Sequence, residues 1–191
     1  DWSSDVCSSD LDTYDVSFEY LDANDSYITI SDQEISIKGD KTQLVVMSGN
    51  FDEPTFTELS VPISSDTGEF NLGFYNIAGE DTNYDIYLAT DDGVFESATL
   101  FSSAQYLGEL DLQSMDEGYY TIYITQAGSS DVMYESSSVY FYDEASYVAM
   151  IRPSYATEDD GITLDVVTDN NYVTELKHQS ALGQLRFINT V

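Results

Sequence analysis

Any chemistry in this chain must come mainly from carboxylates and tyrosines. It carries 36 Asp and Glu and 16 Tyr, against one His and five Lys and Arg. Two carboxylates can perform glycosidase-type acid/base work, but one of them needs an apolar pocket that raises its pKa. Here the acids alternate with apolar residues or cluster at turns, a pattern that sends them to solvent. No catalytic residue is assigned, and the chain is read as non-enzymatic. Calcium is the better use of acidic turns, because hard cations collect carboxylate and carbonyl oxygens from loops. Glu80 and Asp81, in Glu80-Asp81-Thr82-Asn83, and Asp159 and Asp160, in Glu158-Asp159-Asp160-Gly161, are the candidate ligands. Neither stretch fits the spaced EF-hand template, and Asp22-Ala23-Asn24-Asp25-Ser26 lacks the glycine that template requires. A solvated acidic turn is the plainer reading, and no cofactor other than calcium is expected.

The tyrosines suggest a different chemistry. An aromatic plate with a polar edge suits stacking against a sugar ring. Tyr119, Tyr123, Tyr140 and Tyr142 share a parity opposite to that of the apolar positions around them, so they are the candidate glycan contacts; Tyr also packs well in half-buried strands. His178 stands between Lys177 and Gln179 with no Gly-x-Ser-x-Gly nucleophile elbow elsewhere in the chain, and is expected on the surface. No stretch satisfies the phosphate-cradle patterns.

The elements that must position these residues are strands. Period-two alternation runs through Val16/Phe18/Tyr20, Tyr27 to Ile30, Ile35/Ile37, Leu44 to Met47, Phe56 to Val61, Phe70 to Ile77 and Tyr84 to Leu88. It resumes at Tyr106 to Leu112, Tyr119 to Thr125, Val132 to Tyr134, Val139 to Tyr142, Tyr147 to Ile151 and Ile162 to Val167. Turn clusters such as Asp91-Asp92-Gly93, Asp116-Glu117-Gly118 and Asp159-Asp160-Gly161 punctuate them, which is the all-β pattern. Val94 to Ser103 and Tyr172 to Leu182 are open to a short helical turn.

The alternation also repeats. Tyr14 to Ser48 lies on Gly118 to Arg152 at an offset of 104 without a gap. Val16 falls on Tyr120, Phe18 on Ile122, Tyr20 on Ile124, Ile28 on Val132, Ile30 on Tyr134, Ile35 on Val139, Ile37 on Phe141, Leu44 on Val148 and Val46 on Met150. A second echo, at offset 113, sets Leu185-Arg186-Phe187-Ile188-Asn189 against Leu72-Gly73-Phe74-Tyr75-Asn76. A spacing near one hundred residues is the size of a β-sandwich domain. The expected organisation is the back half of one module over 12–65, a complete module over 66–183, and the first strand of a third over 184–191. The strands that open the complete module have no counterpart before Tyr14. The missing burial is large beside a typical domain stability of about 5–15 kcal/mol, so the half-module should lean on the complete one or recruit Gln184 to Thr190.

Residues 1–11 resemble translated sequencing-adapter read-through at the end of a gene fragment and are set apart. With them go Trp2 and Cys7, the only Trp and Cys, so disulfide and thiolate chemistry lapse. The net charge of −31 becomes −28 without their three aspartates. Such a charge repels phosphate backbones, which excludes nucleic-acid partners, and disfavours anionic membrane surfaces. No apolar run approaches the roughly 18 residues of a membrane span. Screening in a salty medium tames the self-repulsion, which points to an extracellular or periplasmic setting.

Phe70-Asn71-Leu72-Gly73-Phe74-Tyr75-Asn76-Ile77-Ala78, followed by Tyr84-Asp85-Ile86-Tyr87-Leu88, resembles the opening of the bacterial domain of unknown function 4397. Phe74, Asn76 and Asp85 fall on that family's first strand, its Asn and its later Asp. The closing strands Leu44 to Gly49 and Tyr147 to Arg152 also fit, while Ala78-Gly79-Glu80-Asp81 replaces the family's Ser-Pro-Asp-Ala-Pro turn. The resemblance implies tandem immunoglobulin-like antiparallel sandwiches in exported or lipid-anchored envelope proteins of bacteria. The function expected is that of a structural spacer or binding module. A glycan-binding or calcium-dependent adhesion module is the alternative, and a hydrolase accessory domain a more distant one. A glycan or an envelope protein would be the partner.

Overall fold

The computed structural model describes residues 12–37, 39, 41–50, 53–90, 93–154, 161–168 and 172–181. Residues 1–11, the acidic pair Asp159 and Asp160, the proposed boundary at Gly183 and the echo at Leu185 to Asn189 lie outside them. The described chain is all-β, with one 3-10 turn at Phe95–Ser97. Its strands are β1 (Asp12–Leu21), β2 (Tyr27–Ile37), β3 (Lys41–Asn50), β4 (Glu53–Pro62), β5 (Glu69–Asn76), β6 (Asn83–Thr90) and β7 (Thr99–Gln105). They continue with β8 (Gln113–Asp116), β9 (Gly118–Gln126), β10 (Val132–Glu135), β11 (Val139–Phe141), β12 (Ser146–Pro153), β13 (Ile162–Thr168) and β14 (Val173–Leu176).

Two five-stranded sheets face each other. One runs β10-β9-β6-β7, with β11 also on β9, and the other runs β14-β13-β12-β5-β8. All neighbours pair antiparallel except β5 and β12, which are parallel with Tyr147 opposite Leu72 and Ala149 opposite Phe74. Alternation explains the interior. Phe70, Leu72 and Phe74 of β5 meet Tyr84, Ile86 and Leu88 of β6, Tyr120, Ile122 and Ile124 of β9, and Ala149 and Ile151 of β12 in one buried cluster. Phe70 stacks on Phe141 at 5.0 Å and takes the edge of Tyr147 at 5.7 Å. Each such large side chain contributes roughly 1.5–3 kcal/mol when fully buried.

Gly73 and Tyr75, of opposite parity on β5, are buried too. Tyr75, with Val148 of β12, joins Val46 of β3 and Leu59 and Val61 of β4 in a second cluster, bordered by Leu44, Ile77 and Met150. The β3–β4 hairpin therefore covers the outer face of the β5–β12 sheet. Through this cluster the N-terminal strands pack against the rest of the chain. The β1–β2 hairpin meets β4 through Phe18 and Phe56, whose ring centres lie 4.6 Å apart. These two hairpins stand where the repeat sets them against β9–β11 and β12–β13.

Three segments depart from the alternation. Tyr106 to Leu112 forms no strand beyond a single bridge at Tyr106. Leu107 sits at φ 49 and turns the chain off the ladder, its N–H donating to the Asn76 carbonyl at 2.9 Å. Leu107, Leu110 and Leu112 then border the second cluster. The ambiguous Val94 to Ser103 resolves into the 3-10 turn and β7, and Tyr172 to Leu182 contains β14, an extended strand. The repeat is also not strict in register. Tyr14 faces Ile35, whereas Gly118 faces Phe141, two residues beyond the counterpart of Ile35. The slip is already present in β10, where Tyr134 faces Ile124 although Ile28 faces Tyr20. Ser136, whose N–H donates to Ile122 O and whose Oγ accepts from Ile122 N–H, both at 2.9 Å, ties down the interval between β10 and β11.

Gly73 lets the irregular segment approach β5. A Cβ there would stand 2.8 Å from the Asp111 carbonyl oxygen and from a Leu110 methyl. Gly73→Val is expected to cost about 1–3 kcal/mol by overpacking. Urea unfolding measures the loss, and increased proteolytic cleavage within 107–112 locates it.

Candidate functional site

Tyr140 of β11 lies directly opposite Tyr119 of β9, and Tyr142 follows one residue beyond the strand. Their rings touch in sequence, Tyr119–Tyr140 at 4.8 Å and 72° and Tyr140–Tyr142 at 4.8 Å and 65°. Tyr119 is 54% exposed and Tyr142 66%. Three of the four candidate tyrosines thus form one surface strip. The contacts are edge-to-face, so the rings make a corrugated ridge and not a flat plate. Tyr140 Oη donates to Glu117 at 3.3 Å. Desolvation first, and then the Glu117 charge, hold its phenol above the usual tyrosine range.

Tyr123 does not belong to the strip. It shares the strip's parity but is buried: it faces Tyr87 across β6–β9, and Phe95 from the 3-10 turn packs on both rings. Its hydroxyl donates to the Gly93 carbonyl at 2.8 Å. Desolvation, then Glu135, raise its pKa. The expectation of exposure failed because parity says which face a residue occupies, not what covers that face. The ambiguous segment after Gly93, with Phe95 at its centre, was the available signal.

Of the acidic candidates, Glu80 and Asp81 lie among the described residues. Glu80 and Asp81 are both exposed in the turn between β5 and β6. The backbone of that turn is tied down by Thr82, whose N–H and Oγ1 both donate to the Gly79 carbonyl. Asp22 is a turn pin, its carboxylate accepting from the N–H groups of Asn24 at 2.8 Å and Ser26 at 2.9 Å. Those bonds, Ser26 first, hold its pKa below the carboxylate norm. Among the described residues, no group of three or more His, Cys, Asp or Glu side chains could hold a metal ion. No helix among them is long and apolar enough to cross a membrane.

His178 is half-buried, between exposed Lys177 and Gln179. Its ring meets the face of Tyr134 edge-on at 5.8 Å, and Nδ1 accepts from Ser180 N–H at 3.0 Å. Tyr134 itself donates to the Leu176 carbonyl at 2.7 Å, joining the two sheets, and burial pushes its phenol far above the ordinary value.

Two residues of the opening motif do structural work. Asn76 is fully buried; its Nδ2 donates to the Thr82 carbonyl at 3.0 Å, and its Oδ1 accepts from Ala78 N–H at 2.9 Å. Asp85 accepts from Ser103 Oγ at 2.6 Å and Gly128 N–H at 2.8 Å, tying β6 to β7 and to the β9–β10 turn. Arg152 closes the far edge. It binds both oxygens of Asp165, at 2.6 and 3.1 Å, and reaches Glu175 at 3.0 Å. It thereby bridges two carboxylates that stand directly opposite each other on β13 and β14, a pairing that would otherwise repel.

No protein-family model matches the chain, and no characterised protein matches it in sequence.

The geometry of the strip can be read by titration. Glu117→Gln should move Tyr140 ionisation to lower pH, toward the ordinary value without reaching it, because desolvation remains. Phenolate absorbance compared with Tyr140→Phe isolates the residue. An unchanged titration would show that the Glu117 contact is not made.

Proposed function

We propose that this chain is an excerpt of a non-catalytic tandem array of immunoglobulin-like sandwich modules. The array serves the bacterial cell envelope as a spacer or binding module, in the manner of the domain of unknown function 4397 that its motifs resemble. One observation carries the reading. β1–β2 and β3–β4 are antiparallel hairpins whose residues sit 104 before β9 to β11 and β12. Their facing pair Phe18 and Phe56 lies on β1 and β4, as Ile122 and Leu164 lie on β9 and β13 within the main core. The motif Asn and Asp act as pins between elements, and most large aromatics are engaged in packing, as a load-bearing module requires. The acidic, thiol-poor composition suits an exported protein.

The tyrosine strip favours a second reading, in which the array presents a glycan contact. Tyr119 and Tyr142 offer exposed faces on one side of a rigid sheet, and aromatic faces of that kind stack on sugars.

Pulling the chain from both ends distinguishes the array from a single cooperative body. The array predicts two events. The first releases β1 to β4, roughly 180 Å of contour, and the second releases 66–183, roughly 410 Å, at about 3.5 Å per residue. One combined event would contradict it. A glycan array tests the second reading: binding must appear with the native chain and vanish with Tyr142→Ala.

A further inference from the structure

We propose that the Tyr119–Tyr140–Tyr142 strip binds an amine-bearing glycan, a chain of hexosamine units whose nitrogens are free ammonium groups and not acetamides. The proposal rests on the glycan reading of the strip and names the sugar class it takes. The rings supply the first reason. Both contacts along the strip are edge-to-face, at 72° and 65°, so neighbouring rings stand at a steep angle instead of forming one plate. A ring face is the negative side of the aromatic quadrupole, and it attracts a cation held within about 6 Å of its centre. Tyr119 and Tyr142, both more than half exposed, turn such faces to solvent. The same faces can stack on the C–H side of a sugar ring.

Carboxylates border the rings. Tyr140 Oη donates to the exposed Glu117 at 3.3 Å. Asp143, next in the chain after Tyr142, accepts from the Gly68 N–H at 2.9 Å. Both of these partners are uncharged, so the two bonds leave the negative charges in place. Desolvation first, then Glu117, Tyr142 and Asp143, raise the Tyr140 phenol, which shows that both carboxylates are felt at the middle ring. An ammonium group resting on the strip meets aromatic faces and carboxylates together. An acetamide at the same position carries no charge for either to attract.

The charge of the whole chain selects among sugars in the same direction. At −31, it repels uronates and sulfated or phosphorylated glycans and concentrates cations near its surface. A neutral glycan gains nothing from that field, whereas an ammonium-bearing one gains at every charged unit. Only five Lys and Arg stand against 36 acidic residues, so the chain's own cations compete weakly for its carboxylates. A basic peptide satisfies the charge as well. The sugar is favoured because it uses both features at once, its C–H face on an exposed tyrosine and its ammonium group toward a carboxylate.

Calorimetric titration of the full chain tests the proposal, at a pH below neutral where sugar amines are charged and carboxylates ionised. The probes are a short glucosamine oligomer, its fully N-acetylated twin, a galacturonate oligomer and a lysine oligomer of equal length. The glucosamine oligomer should bind at least about fivefold more tightly than the acetylated one, and the galacturonate should not bind. Tyr142→Ala should abolish glucosamine binding. Glu117→Gln should cut the preference for the amine at least about twofold, and added salt should erode it. Both substituted residues are exposed, so each variant should melt as the native chain does. A preference that survives Glu117→Gln unchanged overturns the proposal. A lysine oligomer bound more tightly than the glucosamine one, and lost with Tyr142→Ala, assigns the strip to a basic peptide and also overturns it. The acetylated oligomer separates the two levels. If it binds as well as the amine form, only the charge inference fails; if neither form binds, the glycan reading fails beneath it.

Discussion

From Gly73 onward strand β5 is buried on both of its faces, and the rest of the architecture follows from that. Phe70, Leu72 and Phe74 enter the main core, while Tyr75 enters the cluster under the β3–β4 hairpin. A strand covered on both sides belongs to the middle of three layers. The hairpin, the β5–β12 sheet and the β6–β9 sheet are those layers. Gly73 has no side chain because the 107–112 segment needs that space, and Asn76 ends the strand by satisfying the turn that leads to β6. Taken one at a time these look like local features. Together they locate β5 as the element through which the N-terminal hairpins gain their burial.

Much of this was readable in the residues. The all-β character followed from alternation, and the offset of 104 set β1 to β3 against β9 to β12 before any geometry was known. The packing of the β3–β4 hairpin against the rest of the chain was expected from counting absent strands. Alternation could not report the third layer. The run from Phe70 to Asn76 reads as a half-buried strand with a tyrosine on its polar face, and only the hairpin above it makes Tyr75 a core residue. The same blindness hid Tyr123 beneath Phe95. The segment 106–112 looked like a strand because its leucines alternate, yet the positive φ at Leu107 converts that alternation into a plug.

The candidate sites divide along the same line. Tyr119, Tyr140 and Tyr142 were brought together because opposite parity on adjacent strands forms a face, and that much period-two logic can supply. Glu80 and Asp81 were flagged as an acidic turn, and the structure places both exposed in the turn between β5 and β6. The ion pairing around Arg152 depends on strand order across β12, β13 and β14, which no local pattern encodes. With so few cations in so acidic a chain, cohesion falls chiefly on aromatic and aliphatic burial.

Hydrogen exchange on Tyr75→Ala tests the double burial of β5 most directly. Emptying that position should lower amide protection across β3 and β4 by at least about tenfold, while amides of β6 and β9, on the far sheet, retain theirs. Protection of β3 and β4 that is unchanged by the substitution would contradict the account, because it would show that the hairpin does not depend on the outer face of β5.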